Sequence, residues 1–194
     1  MSEEKDGSRK YDAANPKPLA DFMKTGWAPT PLEGIVPNPA MKFCKDRIEK
    51  LSKRYPGKRI VLPAGGLKVR SNDTDYRFRP HSAFSYFTGI TGSDAVPDSV
   101  LILEPKGDSH EALLFIHPRS SRDTEEFYRD AKYGEFWVGR RMTVEETTRK
   151  YGIAVRKIED LAKFLGVEKP VVYVRGENKI VDKQLSKDKE GQAE

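Results

Sequence analysis

A chain of 194 residues can bury one good core, so one domain with irregular ends is the starting expectation rather than two domains. Hydrophobic residues make up 37% and charged residues 34%, with much of the polarity at the two ends, and the net charge is +5. Cys44 is the only cysteine, which excludes an internal disulfide and a thiolate metal site built from this chain alone, and suits a reducing, cytoplasmic compartment. The first residues show no apolar run behind a basic one, and no stretch reaches the length of a membrane span. The charge is unevenly placed. Between Lys42 and Arg79 twelve Lys and Arg face four acids, an excess of +8 that could meet an acidic surface or nucleic acid, while the remainder is net acidic.

Taken in order, residues 1–37 are rich in Pro, Gly, Lys and Asp and read as an extended or partly disordered arm. Leu19, Phe22, Met23 and Trp27 interrupt it and could dock it on the domain or on another subunit. Met41, Cys44, Ile48, Leu51 and Tyr55 recur at spacings of three and four, behind Asn38 as cap and Pro39 as first helical residue. They predict an amphipathic helix stopped by Pro56-Gly57. Arg59–Pro63 reads as a short strand. Ser99–Glu104 and Glu111–Ile116, around a turn at Pro105–Asp108, read as a hairpin. Both hairpin runs are continuously apolar, so both faces of the sheet should be covered by helices.

Beyond the hairpin, Ser120–Asp130 has acids early and Arg129 late, which suits a helix dipole. Thr143-Val144-Glu145-Glu146 is a capping box opening a helix that stops near Tyr151-Gly152. Ile153–Val155 is a strand candidate, Ile158, Leu161 and Leu165 mark a helix ended by Gly166, and Val171–Val174 is a last strand. The domain is expected over 38–176, with a polar tail from Glu177 to Glu194.

The densest mix of acidic, basic and aromatic residues is Arg70–Gly89, between the apolar runs that form the core, where a site or interface would sit. Asp73 and Asp75, with Glu104 at a strand end, could bind a divalent metal, but two acids among Arg70, Arg77 and Arg79 more often form ion pairs. His81, His110 and His117 have no zinc spacing; His110 sits in a turn and reads as solvated. There is no Gly-x-Ser-x-Gly, phosphate loop or dinucleotide fingerprint. Alternation of Tyr76 and Phe78 with Arg77 and Arg79 predicts a two-faced strand, while Phe84 and Phe87 read as core. Trp137 stands near glycines, beside Arg140 and Arg141 and outside any buried apolar run, as a ring presented to a partner would.

These residues resemble a known family, the amino-terminal domain of aminopeptidase P (Xaa-Pro aminopeptidase), related to the corresponding domains of creatinase and prolidase. The resemblance rests on Leu62-Pro63-Ala64, Arg70 through Arg79, Phe84-Ser85-Tyr86-Phe87-Thr88-Gly89, Val100 through Leu103, Leu114-Phe115 and Trp137 through Arg141, in the family's order over roughly residues 40–176. The segment Pro118–Trp137 is longer than in many members, and Ser85 stands where an aromatic is often found.

The resemblance implies an α/β fold, a mixed sheet flanked by helices in a ribonuclease-H-like arrangement. It implies a role as the accessory and oligomerisation domain of a metallopeptidase that removes an N-terminal residue preceding proline. Two manganese ions are expected in the catalytic domain that follows; none of their ligands maps onto this chain, which by itself is expected to be inactive and to have neither catalytic nor metal residues. The implied partners are that catalytic domain, further copies of the chain, and peptides with proline second. Trp137 and Asp73, with Arg140, Arg141, Tyr76 and Arg77, are expected at the substrate entrance and subunit contacts. The rival readings are a basic nucleic-acid-binding module, ranked behind, and a metal nuclease using Asp73, Asp75 and Glu104, ranked last.

Overall fold

The computed structural model describes residues 16–186, which divide into two compact units. The smaller consists of 16–30 and Ser120–Arg140; the larger takes the remaining described residues. Residues 16–30, expected as part of an arm, pack with the 120–140 segment through Ala20, Met23 and Trp27.

In the larger unit, α2 (Met41–Arg54), β1 (Arg59–Pro63), a small hairpin of β2 (Val69–Ser71) and β3 (Thr74–Asp75), and α3 (Ser82–Thr88) lead into the long hairpin β4 (Val100–Lys106) and β5 (Ser109–Ile116). After the smaller unit's segment come α6 (Val144–Tyr151), β6 (Ala154–Lys157), α7 (Leu161–Leu165), β7 (Val171–Tyr173) and α8 (Lys179–Leu185). The five-stranded sheet has the order β6-β5-β4-β1-β7, antiparallel at its centre and parallel at both edges. It is a mixed sheet flanked by helices.

Register explains the continuous apolar runs. Ile60 opposes Leu103 and Leu101 opposes Leu114, so these side chains share a face with Leu62 and Ile116, under α2, α3 and Tyr151. The alternate residues Val61, Val100, Ile102, Leu113 and Phe115 line the other face, closed by Leu161, Leu165, Val181 and Leu185. With a side-chain period of two, a strand buried on both faces must be apolar at every position. The core thus runs past Gly176: the first part of the segment expected as polar tail is α8, which places Val181 and Leu185 against the sheet.

Local signals act as the chemistry requires. The Asn38 Oδ1 accepts from the Ala40 N–H at 2.9 Å, and the helix begins at Met41, two residues after Pro39. His81 Nδ1 accepts from the Ala83 N–H at 3.2 Å and so caps α3, whose last turn closes on Gly89 at φ 68°. In the capping box, the Glu146 N–H donates to Thr143 Oγ1 at 3.2 Å and the Thr143 N–H to Glu146 Oε2 at 2.8 Å. Thr143→Ala is expected to cost about 1 kcal/mol of stability, read as a lower midpoint in urea with an unchanged slope.

Inside the larger unit Tyr151 is 1% exposed, and its hydroxyl donates to Asp94 Oδ2 at 2.5 Å. Burial, and then the Asp94 carboxylate, hold this phenol well above the usual tyrosine range. Lys150 Nζ, 2.6 Å from the same carboxylate oxygen, balances its charge.

The smaller unit holds α1 (Lys17–Met23), α4 (Glu126–Arg129) and α5 (Glu135–Val138). Ala20 and Met23 pack on Phe127 and Tyr128, and the Trp27 ring meets Phe127 edge-on at 5.0 Å. The helix expected over Ser120–Asp130 is confined to its last turn. Ser121 and Asp123 bond each other, and the Thr124 hydroxyl bonds back to Ser121 O at 2.7 Å, so hydroxyls and carboxylate replace the helical ladder before Glu126.

Candidate interface

Trp137 is carried by α5, a single turn between two glycines. At Gly134 a Cβ would lie 2.4 Å from Asp130 O and 2.5 Å from Glu126 O, so only glycine lets the chain pass this close to α4. At Gly139 φ is 81°, the left-handed region. Asp130 Oδ1 accepts from the N–H groups of Lys132 and Tyr133, both at 2.8 Å, and shapes the turn between the helices.

The helix is clamped from its polar side. Glu135, with a side chain only 8% exposed, takes Arg122 at 2.6 Å, and the same guanidinium reaches Thr30 Oγ1 at 2.7 Å. Arg140 Nε donates to Thr30 O at 2.6 Å. On the other side the Trp137 indole N–H donates to Tyr128 O at 2.7 Å, which fixes the ring plane while leaving 60% of the residue exposed. Phe136 packs edge-on against Trp137 at 5.8 Å and Trp27 at 5.9 Å and is itself half exposed, as is Val138. The result is an apolar, ring-lined surface on a rigid support, of the kind used by protein contacts. The sequence signal for Trp27 and Phe136 as members of this cluster is present, since both are aromatics in polar segments, but only the packing joins them.

The other residues expected at the site lie in the larger unit. Asp73, Tyr76 and Arg77 belong to the β2–β3 hairpin and the segment after it, all exposed, with Asn72 in the left-handed turn at φ 49°. Arg141 Nη2 donates to Pro118 O at 2.8 Å. The structure thus groups Trp137 with Arg140, and Asp73 with Tyr76 and Arg77, in separate units.

Four expectations are corrected. The two-faced strand over Tyr76–Arg79 is absent: β3 ends at Asp75, and from there the chain is irregular up to Pro80, with Tyr76 59% exposed and Phe78 turned onto the core. Ion pairing of Asp73 and Asp75 with Arg70, Arg77 or Arg79 is not found among the described residues, because the short, open hairpin keeps these side chains in water. Glu104 is not available to a metal. Its carboxylate takes Arg59 in two bonds, Nε to Oε2 at 2.7 Å and Nη2 to Oε1 at 3.2 Å, and also Lys169. Among the described residues no group of three or more His, Cys, Asp or Glu side chains is placed to hold a metal ion. His110, expected to be a solvated turn residue, is instead half-buried on β5, with its Nε2 2.7 Å from Lys58 O.

Phe84 and Phe87 turn inward, and the exposed Tyr86 ring is covered by Arg47 at 4.0 Å.

Residues 44–172 match the family model described as aminopeptidase P, N-terminal domain. The chain belongs to this family. It is 43% identical over 159 residues to Xaa-Pro aminopeptidase 1 of Streptomyces coelicolor, a match covering 81% of this chain and 31% of that protein. It is 37% identical over 179 residues to Xaa-Pro aminopeptidase 2 of the same organism, covering 91% and 37%. The low-pH form of aminopeptidase P from Escherichia coli superposes with a TM-score of 0.60 at 25% identity, covering 79% of this chain and 34% of that one. The aminopeptidase P-type domain described here spans about a third of the length of these relatives. Among its described residues no helix is long and apolar enough to cross a membrane.

Proposed function

We propose that the chain serves as the accessory and oligomerisation domain of a metal-dependent Xaa-Pro aminopeptidase, releasing an N-terminal residue that precedes proline once joined to a catalytic domain. The single observation that carries this reading is the Trp137 surface: a ring held in place by the indole bond to Tyr128 O and by the Arg122–Glu135 clamp, yet left open to a partner. The relatives are Xaa-Pro aminopeptidases that extend well beyond the matched region, which supports a further domain as the partner.

The two manganese ions belong to the catalytic domain in this reading. The described residues here do not fit them, since Asp73 and Asp75 lie on an open hairpin and Glu104 is neutralised by Arg59 and Lys169. What this chain contributes is shape and assembly. Trp137 and Arg140 border the substrate entrance of a neighbouring copy, and in the larger unit Asp73, Tyr76, Arg77 and Arg141 supply polar subunit contacts. The setting is cytoplasmic.

The test is reconstitution. Mixing this chain with the separately produced catalytic domain and manganese should restore release of arginine from Arg-Pro-Pro, with neither part active alone. Full activity of the catalytic domain without this chain, or no association in the mixture, overturns the reading.

A further inference from the structure

Residues 16–30 precede the 44–172 span shared with the family, yet they brace the turn that carries Trp137. That turn, α5, is four residues long, and a first helical turn fixes several backbone angles for one hydrogen bond, so α5 does not hold its own orientation. Its bearing comes from what touches it. Trp27 meets Phe136 edge-on at 5.9 Å and Phe136 meets Trp137 edge-on at 5.8 Å, a row of rings running from the N-terminal segment to the exposed indole. Trp27 is itself fixed: its indole N–H donates to Met23 O at 2.7 Å, and its ring meets Phe127 edge-on at 5.0 Å.

A polar bridge ties the same segment to α5. The Arg122 guanidinium donates from Nη2 to Glu135 Oε1 at 2.6 Å and to Thr30 Oγ1 at 2.7 Å, and from Nη1 to Ala28 O. Arg140, just past α5, donates from Nε to Thr30 O at 2.6 Å. The Glu135 side chain is largely out of water, so the acceptors on residues 28 and 30 help to satisfy a guanidinium that solvent reaches poorly. Residues 16–30 and Ser120–Arg140 form one compact unit, so the ring row and the bridge act on the same body. This matters because Trp137 is mostly exposed. An exposed side chain without such contacts changes rotamer in picoseconds to nanoseconds.

We propose that residues 16–30 are a strap that sets the orientation of the Trp137 ring, with Trp27 as a positioning residue acting through Phe136. A ring held still in advance gives up less rotamer freedom when a partner packs on it. The consequence for peptide binding rests on the substrate-entrance reading of Trp137; the restraint of the ring does not. Under that reading the strap strengthens peptide binding without touching the reacting atoms, and its loss raises KM while kcat holds.

Trp27 and Trp137 are the chain's two tryptophans, so Trp27→Phe and Trp27→Ala in the full chain each leave Trp137 as the sole tryptophan reporter. Time-resolved fluorescence anisotropy should show a restrained ring in Trp27→Phe, which keeps an aromatic against Phe136. In Trp27→Ala the amplitude of sub-nanosecond motion should be about twofold larger or more, with circular dichroism unchanged as the control for fold. In the enzyme reconstituted with the catalytic domain, Trp27→Ala should raise KM for Arg-Pro-Pro about fivefold with kcat within about twofold, and Trp27→Phe should restore KM. Should Trp27→Ala fail to fold, Thr30→Val in the Trp27→Phe background, which takes one hydroxyl from the Arg122 bridge, replaces it with the same expected loosening. Equal anisotropy decays in the restrained and loosened variants overturn the strap. A looser ring with unchanged KM in an active enzyme removes its role in peptide binding. An inactive mixture overturns the peptidase reading instead, and the anisotropy decays then decide the strap by themselves.

Discussion

Arg59→Met is expected to lower folding stability by about 3–5 kcal/mol, because it strips a buried carboxylate of its main partner. The Arg59 side chain is 3% exposed and that of Glu104 16%. Besides the two bonds to Glu104, the guanidinium donates from Nη1 to Val167 O at 3.0 Å and lies 4.8 Å over the Phe164 ring, tying β1 and β4 to the end of α7. Lys169 remains as a second cation but is 38% exposed and held by a flexible stem. The double variant Arg59→Met, Glu104→Leu should recover most of the loss, since an apolar pair of similar volume removes both charges together. Urea denaturation of the four proteins in this cycle measures the coupling, and a single Arg59→Met variant within about 1 kcal/mol of the parent would sink the argument.

The same network has a pH signature. Burial alone would raise the Glu104 pKa, but the bonds to Arg59 and Lys169 outweigh it and hold the carboxyl below the usual glutamate range. A carboxyl depressed in the folded state stabilises fully above its unfolded pKa of about 4.3, and that contribution is lost as pH falls through the lower folded value. Stability of the parent should therefore fall on acidification below about pH 4.3, with a shallower fall in the Arg59→Met, Glu104→Leu variant.

Trp137→Ala is expected to separate folding from assembly. The ring is mostly exposed and its indole N–H bonds a backbone carbonyl, so the loss in folding stability should stay near 1 kcal/mol. As an interface anchor its truncation should cost about 2 kcal/mol or more in association, about thirtyfold in affinity. Trp137→Phe keeps the apolar face but loses the indole bond that orients it, and should fall between. Sedimentation of the reconstituted enzyme and its kcat/KM on Arg-Pro-Pro read the effect, with the isolated chain's melting temperature as control. Wild-type association and activity in Trp137→Ala would remove this residue from the interface.

Much of the larger unit was legible beforehand. Arg59–Pro63 and the hairpin declared themselves by continuous apolar runs, and Thr143 to Gly152 by its capping box and closing glycine, because these elements are set by local pattern and chemistry. The resemblance to the family also rested on short contiguous segments, and it holds across residues 44–172.

The misreadings share a cause. Lys179–Leu185 is polar overall, and only two of its residues, Val181 and Leu185, meet the sheet, too few to announce a core helix. The Tyr76–Arg79 alternation had the period of a strand but no partner strand to pair with, so it stayed irregular. Glu104 read as a metal candidate because its two cations lie 45 and 65 residues away in the chain.

By itself, then, the sequence determined what depends on neighbours along the chain: which runs are buried, where helices start and stop, that no disulfide can form, and which family's segments recur in order. Only the tertiary structure decided the strand order, the packing of 16–30 with Ser120–Arg140 into a separate unit, the Arg59–Glu104 pairing and the Arg122 bridge to Thr30. Each of these is a contact between segments far apart in the chain. Its free energy comes from burying apolar surface and satisfying polar groups together, and no local pattern records which distant partner does so.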